Sequence, residues 1–420
     1  MEIKAIRGFS DILPPETRRW RMLEERAREV LERFGFSEIR VPILEKAGLF
    51  SRSIGEETDI VEKEMYTFED RGGDLVTMRP EATASVVRAY IEHKMYAADP
   101  MAKLYSIGPM FRHERPQKGR YRQFHQINVE VFGISQPAID AEVMAIVMYY
   151  LSIVGVKRCV LQINSLGCPR CRLPYKEKLQ NFLNDHLHHL CQDCRRRTER
   201  NPLRAFDCKI EGCREVMSEA PLISTYLCPE CTEHFTAVRS HLETLEVSFE
   251  VNPRMVRGLD YYTKTAFEVV AEGLGAQNAV AAGGRYDYLV AALGGPDIPG
   301  IGFAVGMERL LLILPEEPLP SGPSLFIAAL GADPQRDAFS LSYKLNRAGV
   351  RTMIDYEGRT LKAQMRRADK FDARYVLIIG EDERRSGKAI LRDMIEGKQE
   401  ETPLPSIFEE IVRRVKGGSP

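Results

Sequence analysis

The stretch FRHERPQKGRYRQFHQINVEVFG, Phe111 to Gly133, constrains the fold more than any other part of the chain. Two strand-like runs flank a polar loop that contains Gly119. In the second run Gln126, Asn128 and Glu130 fall on one face and Ile127, Val129 and Val131 on the other, because strand side chains alternate. Such a strand must bury its apolar back on another layer and turn its polar front elsewhere. Arg112, Arg115, Arg120 and Arg122 crowd the joining loop, and their fork-shaped guanidinium groups suit phosphate and carboxylate oxygens. The pattern predicts an antiparallel hairpin forming one wall of a site for an anionic nucleotide.

The surroundings of this hairpin show the same preference. Residues 36–135 contain strand runs and short helices without regular strand–helix alternation, which favours an antiparallel sheet carrying helices over a doubly wound one. Residues 17–34, TRRWRMLEERAREVLERF, read as an amphipathic helix stopped at Gly35. FSEIRVPIL then reads as a strand, with Pro42 near an edge or end. A helix over 139–155 leads to a strand in RCVLQINSLG. The pattern changes after LPEEPLPSGPS, Leu314–Ser324, which reads as a linker. Beyond it SLFIAAL, a helix over 334–348, VRTMIDY, a helix over 361–370 and YVLIIG alternate as βαβαβ, predicting a small α/β domain with a largely parallel sheet. A chain of 420 residues accommodates two or three domains. The expected division is a core over 1–320, interrupted by an insertion over 168–245, and a tail domain over 324–420.

That insertion is marked by cysteine. Of nine cysteines, eight lie between Cys168 and Cys231. Cys168-x₂-Cys171 followed by Cys191-x₂-Cys194 fits a four-thiolate zinc spacing, and Cys208-x₄-Cys213 with Cys228-x₂-Cys231 fits a second. Two sites, one site with spare ligands, or a mixed site using a nearby histidine all suit the spacing. No apolar run approaches the ~20 residues that span a bilayer, and MEIKAIRGFSDILPPE has no apolar signal core. A cytoplasmic protein without a membrane partner is expected. The net charge of −1 gives no whole-molecule attraction to nucleic acid, which leaves a local basic face as the route to such a partner.

Phe111, Arg112, His113 and Glu114, with the loop and strand that follow, resemble the second motif of class II aminoacyl-tRNA synthetases. GIGFAVGMERLLLIL, residues 300–314, resembles the third through Gly302, Gly306, Glu308 and Arg309. RGLDYYT (Arg257–Thr263) and AGGRYDYLVAALGG (Ala282–Gly295) resemble the two histidine-specific peptides of the histidyl-tRNA synthetase family, and TMRPEAT (Thr77–Thr83) a further element. The resemblance implies an α+β fold: a class II antiparallel sheet flanked by helices, a Cys-rich inserted module, and a C-terminal anticodon-binding domain.

The same resemblance implies roles for individual residues. Arg112 and Arg257 act at the α-phosphate and the amino-acid carboxylate. Glu81 and Thr83 hold the substrate ammonium, while Ala82, Gln126, Glu130, Tyr261, Tyr262, Gly284 and Tyr286 belong to the histidine pocket. Glu114 and Phe124 hold the adenine, and Arg309 with Arg120 and Mg²⁺ grips the far phosphates of ATP. Arg115, Gln117 and Arg122 meet the acceptor end of the tRNA. The expected partners are L-histidine, tRNA(His) and a second copy of the chain. Zinc at the cysteines lies outside the family pattern. The alternative reading is the family's non-catalytic relative, the histidine-sensing regulatory subunit of ATP phosphoribosyltransferase. That relative lacks the anticodon domain and erodes the ATP motifs, whereas this chain keeps Arg112, Arg257, Arg309 and a βαβαβ tail.

Overall fold

The computed structural model describes residues 3–55, 58–274, 278–315 and 322–417. The proline-rich linker falls largely on residues 316–321, and with the expected boundary at 320 lies outside the described residues. The chain divides into two units, Met1–Pro315 and Glu316–Pro420.

Among its described residues the first unit has eleven strands: β1 (Ser37–Glu38), β2 (Leu44–Lys46), β3 (Tyr66–Glu69), β4 (Leu75–Met78), β5 (Ala102–Phe111), β6 (Gln123–Phe132), β7 (Cys159–Ser165), β8 (Phe249–Val251), β9 (Thr263–Ala271), β10 (Ala279–Arg285) and β11 (Gly300–Gly306). Eight form one sheet in the order β1-β5-β6-β11-β10-β9-β7-β8. Neighbours from β5 to β7 pair antiparallel, and β1 and β8 join the edges in parallel. β2, β4 and β3 make a separate antiparallel sheet.

The two faces of β6 divide as the alternation predicts. Ile127, Val129 and Val131 are buried with Trp20, Leu23, Ala27 and Val30 of helix Glu16–Arg33 and with Val143 and Val147 of helix Pro137–Ile153. Burial contributes roughly 1.5–3 kcal/mol for each such aliphatic side chain. A one-residue slip of β6 would turn Gln126, Asn128 and Glu130 into that core, so the register is firmly specified. Helix Glu16–Arg33 ends as expected: Gly35 adopts φ +81°, and the Phe36 N–H turns back to the Leu31 carbonyl at 3.0 Å.

Two local expectations are corrected. FSEIRVPIL is not one strand: β1 ends at Glu38 and β2 begins at Leu44, because Pro42 has no N–H to continue a ladder. The tail sheet is mixed rather than largely parallel. Its strands β12 (Leu325–Leu330), β13 (Thr352–Ile354), β14 (Tyr375–Gly380), β15 (Lys388–Asp393) and β16 (Gln399–Pro403) run in the order β13-β12-β14-β15-β16. The first three are parallel, as predicted, with helices Ala332–Arg347 and Leu361–Lys370 in the connections. β15 and β16 add an antiparallel hairpin whose mostly polar outer strand does not stand out in the sequence.

The cysteine-bearing segment folds as helices Pro169–Asp185, Gln192–Arg200, Glu211–Ser218 and Pro229–Thr244. Tyr175, Leu179, Leu183 and Met217 form a small core of its own. The last helix returns to the main body, where Val238 and Leu242 join the large core. No described helix is long and apolar enough to cross a membrane.

Candidate active site

A cavity of about 280 Å³ opens over the polar face of the sheet. β6 supplies Gln126 and Asn128, β11 supplies Gly302 and Gly306, and the 257–262 segment closes one side. Behind the Gln126–Asn128 wall lies Glu130, only 2 % exposed. Its carboxylate accepts from the Thr83 hydroxyl at 2.6 Å and from the Tyr286 hydroxyl. Burial pushes its pKa up to about 8, against the opposing pull of these two donors. Gly302 stands opposite Glu130, and a Cβ there would overlap both the Glu130 carboxylate and the Val129 carbonyl. This close approach accounts for the glycine.

Glu81 shares the neighbourhood. Its carboxylate accepts the backbone N–H groups of Thr83 at 2.7 Å and Ala84 at 2.9 Å, which caps the start of helix Thr83–Glu92. Burial raises its pKa and those N–H donors oppose the rise. Tyr261, Tyr262 and Tyr286 pack ring against ring beside the two acids. The Gln126 Oε1 is buried without a hydrogen-bond partner, an acceptor available to a ligand.

The other end of the cavity is cationic. The Arg112 Nε donates to the Pro80 carbonyl at 2.9 Å, and its guanidinium lies 5.3 Å from the centre of the Phe124 ring. Arg120 pairs with Glu114 at 2.8 Å. Arg309 follows the β11-to-helix turn and donates to the Ala279 carbonyl at 2.7 Å. Burial, then the nearby Arg120, lowers its pKa, as expected where positive charge is in local excess. Arg257 pairs with Glu268 and lies over the Tyr262 ring at 5.3 Å, while its buried Nε has no hydrogen-bond partner. Burial pulls the Arg257 pKa down, but Glu268, Tyr262 and Tyr261 together outweigh it and raise the pKa.

Of the residues expected at the site, Glu81, Thr83, Arg112, Gln126, Arg257, Tyr261, Tyr262 and Tyr286 line this cavity together with Glu114, Arg120, Phe124 and Arg309. Ala82, Glu130 and Gly284 lie outside the lining. Ala82 is buried at the start of the Thr83–Glu92 helix, and Gly284 is paired with Gly302 across β10 and β11. Arg115 and Gln117 are exposed in the β5–β6 loop. Arg122 is engaged locally: its Nε donates to the Glu114 carbonyl at 3.2 Å, and its side chain lies against Gly8. Residues not singled out as contacts also reach the cavity, among them Ile60, Tyr121, Asn128 and Glu268. An acid in the apolar run TAFEVVA was the available signal for Glu268, since a half-buried carboxylate there needs a cation. Glu308 clips the third-motif helix to β6 by accepting from the His125 backbone N–H at 2.9 Å and ring Nδ1 at 3.0 Å.

The frame of the site is fixed by a buried ion pair. Arg285, in the GGRYD peptide, pairs with Asp140 of helix Pro137–Ile153, and both side chains are fully buried. Arg285 also donates to the Ile134 carbonyl at 3.0 Å and to Asp287 at 2.9 Å, which anchors the backbone leading into Tyr286.

The cysteines form two groups that could hold a metal, Cys168–Cys171–Cys228–Cys231 and Cys191–Cys194–Cys208–Cys213. The grouping of neighbours by sequence, with Cys168 and Cys171 joined to Cys191 and Cys194, is therefore corrected. The outer pairs meet because the segment's last helix returns beside its first, and the inner pairs are enclosed between them.

An antiparallel sheet with an arginine-bearing hairpin, and a glycine-spaced strand that runs into a helix bearing Arg309, is the architecture of a class II aminoacyl-tRNA synthetase. Residues 8–310 match the sequence model described as histidyl-tRNA synthetase, residues 324–414 match that of an anticodon binding domain, and the chain belongs to the histidyl-tRNA synthetase family. It is 57 % identical over 413 residues to a histidine–tRNA ligase of Geobacter sulfurreducens, covering 98 % of this chain and 100 % of the relative. A histidine–tRNA ligase of Geobacter metallireducens is 57 % identical over 402 residues, covering 96 % and 97 %. The crystal structure of apo histidyl-tRNA synthetase from S. aureus superposes with a TM-score of 0.83 at 37 % identity, covering 98 % of this chain and 100 % of that one.

Proposed function

We infer that this chain is an ATP-dependent ligase that joins L-histidine to tRNA(His). One observation carries the reading: Thr83 and Tyr286, whose hydroxyls hold the buried Glu130 carboxylate, line one cavity with the guanidinium groups of Arg112, Arg257 and Arg309. In the first step an oxygen of the histidine carboxylate attacks the α-phosphorus of ATP. The bond to the bridging oxygen breaks, and pyrophosphate leaves with the electron pair. Charge builds on the α-phosphate as five-coordinate phosphorus forms, and Arg112 and Arg257 are fixed donors for it. Arg309 and Arg120 take the leaving phosphates, with the adenine between Phe124 and Glu114. In the second step the terminal ribose hydroxyl of the tRNA attacks the acyl carbon of the mixed anhydride, the acyl–phosphate oxygen bond breaks, and AMP departs with its phosphate taking up the hydroxyl proton. No protein nucleophile is used.

Histidine is chosen by its imidazole. Glu130 takes one ring N–H and a hydroxyl of the Tyr261–Tyr262 pair serves the other nitrogen, while Glu81, Thr83 and Gln126 receive the ammonium. Sites that hydrogen-bond their substrate reject analogues lacking those groups by roughly 10⁴-fold or more. Mg²⁺ brought by ATP would neutralise phosphate charge, and the cavity carboxylates Glu114 and Glu268 would be its hard oxygen donors. The two thiol groups would hold structural Zn²⁺, the ion that four thiolates fit. Arg115, Gln117 and Arg122 face the acceptor end, and the 324–414 domain the anticodon. The active form is a homodimer, for which the apolar Ile43 and Leu44, exposed around Pro42, offer surface to cover. The regulatory-subunit alternative is less supported, because the similarity to histidine–tRNA ligases runs the length of the chain. Single-turnover charging of tRNA(His) with labelled histidine tests the whole reading; folded protein that charges no tRNA would refute it.

A further inference from the structure

The clustered cysteines stand apart from the adenylation chemistry, yet one of the two sets is wired to it. The four sulfurs of each set lie within 4.8 Å of one another. A tetrahedral thiolate site with metal–sulfur bonds of about 2.3 Å has edges of about 3.8 Å. The Sγ–Sγ separations are 3.6 Å for Cys168–Cys171, 3.9 Å for Cys168–Cys228 and 3.9 Å for Cys191–Cys208. Backbone N–H groups point at the sulfurs, from Cys191 to Cys213 and from Cys228 to Cys171, each at 3.1 Å. Such donors stabilise thiolates rather than thiols.

We propose that Cys191, Cys194, Cys208 and Cys213 bind one Zn²⁺, and that this ion positions the walls of the amino-acid activation site. The proposal rests on the ligase reading and adds a coupling to it. From Cys194 the chain continues through helix Gln192–Arg200, where Thr198 donates back to the Cys194 carbonyl at 2.9 Å. That helix and the turn before Cys208 present three side chains to the core. Arg197 pairs with Asp59 at 3.5 Å, Arg200 with Glu62 at 3.3 Å, and Asn201 donates to Asp260 at 3.2 Å. Arg204 adds a contact to Asp59 at 3.9 Å, reaches Asp207 beside Cys208 at 3.5 Å, and lies against Gly258.

Both segments so held carry the site. The 257–262 peptide contributes Arg257, Tyr261 and Tyr262, and Ile60 lines the cavity. The Glu64 carbonyl accepts the His113 N–H at 2.7 Å, next to Arg112. A four-thiolate ion joining the two ends of this brace therefore restrains the cations that meet the α-phosphate. Loss of the ion frees the brace, and misplacement of catalytic groups by about 1 Å costs about 10²-fold in rate.

The test uses the full-length protein purified under reducing conditions without chelators. Elemental analysis should find two zinc ions per chain. Cys191→Ser/Cys208→Ser should lose one and Cys168→Ser/Cys191→Ser both, with Co²⁺ reconstitution reporting tetrahedral thiolate absorption at each surviving site. Single-turnover adenylation by Cys208→Ser should fall about 10²-fold, with histidine affinity changing much less. Arg204→Ala, which is not a ligand, should keep both ions and still lose adenylation rate about tenfold. A zinc content that Cys191→Ser/Cys208→Ser leaves unchanged, or an ion-depleted Cys208→Ser adenylating at the wild-type rate, would overturn the proposal. If Cys208→Ser does not fold, Arg204→Ala decides alone: a wild-type rate sinks the coupling. Wild-type protein that holds the ion at the Cys191 set but activates no histidine would instead refute the ligase reading, which keeps the two failures apart.

Discussion

Replacing Glu130 by glutamine isolates what burial does to the histidine pocket. The folded protein holds the Glu130 proton up to about pH 8, whereas an ordinary glutamate releases it near 4.5. A pKa raised on folding contributes stability that is fully present below the unfolded value and is lost as pH rises through the folded one. For this group the loss amounts to about 3 kcal/mol by pH 7 and about 5 kcal/mol above pH 8. Glutamine keeps the shape and an acceptor for Thr83 or Tyr286 but has no proton to lose. Glu130→Gln should therefore match the wild type near pH 4.5 and gain on it by about 1.4 kcal/mol per pH unit up to about pH 8, then level off. Parallel urea titrations of the substrate-free proteins, followed by the fluorescence of Trp20, measure this, since the sole tryptophan lies in the core beneath β6. Above pH 8, where Glu130 is ionised, the same variant should bind histidine about 10–100-fold more weakly, because a hydrogen bond to a charged acceptor is lost. A stability difference independent of pH between 5 and 8 would refute the reasoning.

Arg257→Ala should lower the single-turnover adenylation rate about 10²–10³-fold with a much smaller effect on histidine affinity, since its orphan Nε serves charge that develops at phosphorus. Arg285→Ala should destabilise the first unit by about 3–5 kcal/mol in urea, because it leaves Asp140 charged and buried without its partner. Deleting residues from Pro323 onward should leave a folded protein that still exchanges pyrophosphate but charges tRNA poorly. Exchange lost together with the fold would place the boundary elsewhere.

Much of this was legible because it depends on local rules. The period-2 alternation of β6 announced both its buried back and its polar front, and Gly35 announced the end of the first helix. Ion-pair partners were less legible. Glu308 reads as a motif residue, but its bond to His125 spans 183 positions and has no local signature. The cysteine grouping failed for the same reason: spacing records neighbours along the chain, whereas the returning helix sets Cys228 against Cys168, 60 positions away. β15 and β16 escaped notice because an edge hairpin needs little apolar surface.

The most direct test of the account is ATP–pyrophosphate exchange by purified protein, run with each standard amino acid in turn. Exchange with histidine alone, abolished when Arg112 and Arg257 are both replaced by alanine, is the predicted result. Folded protein that supports no exchange with histidine, or exchanges equally with another amino acid, would contradict it.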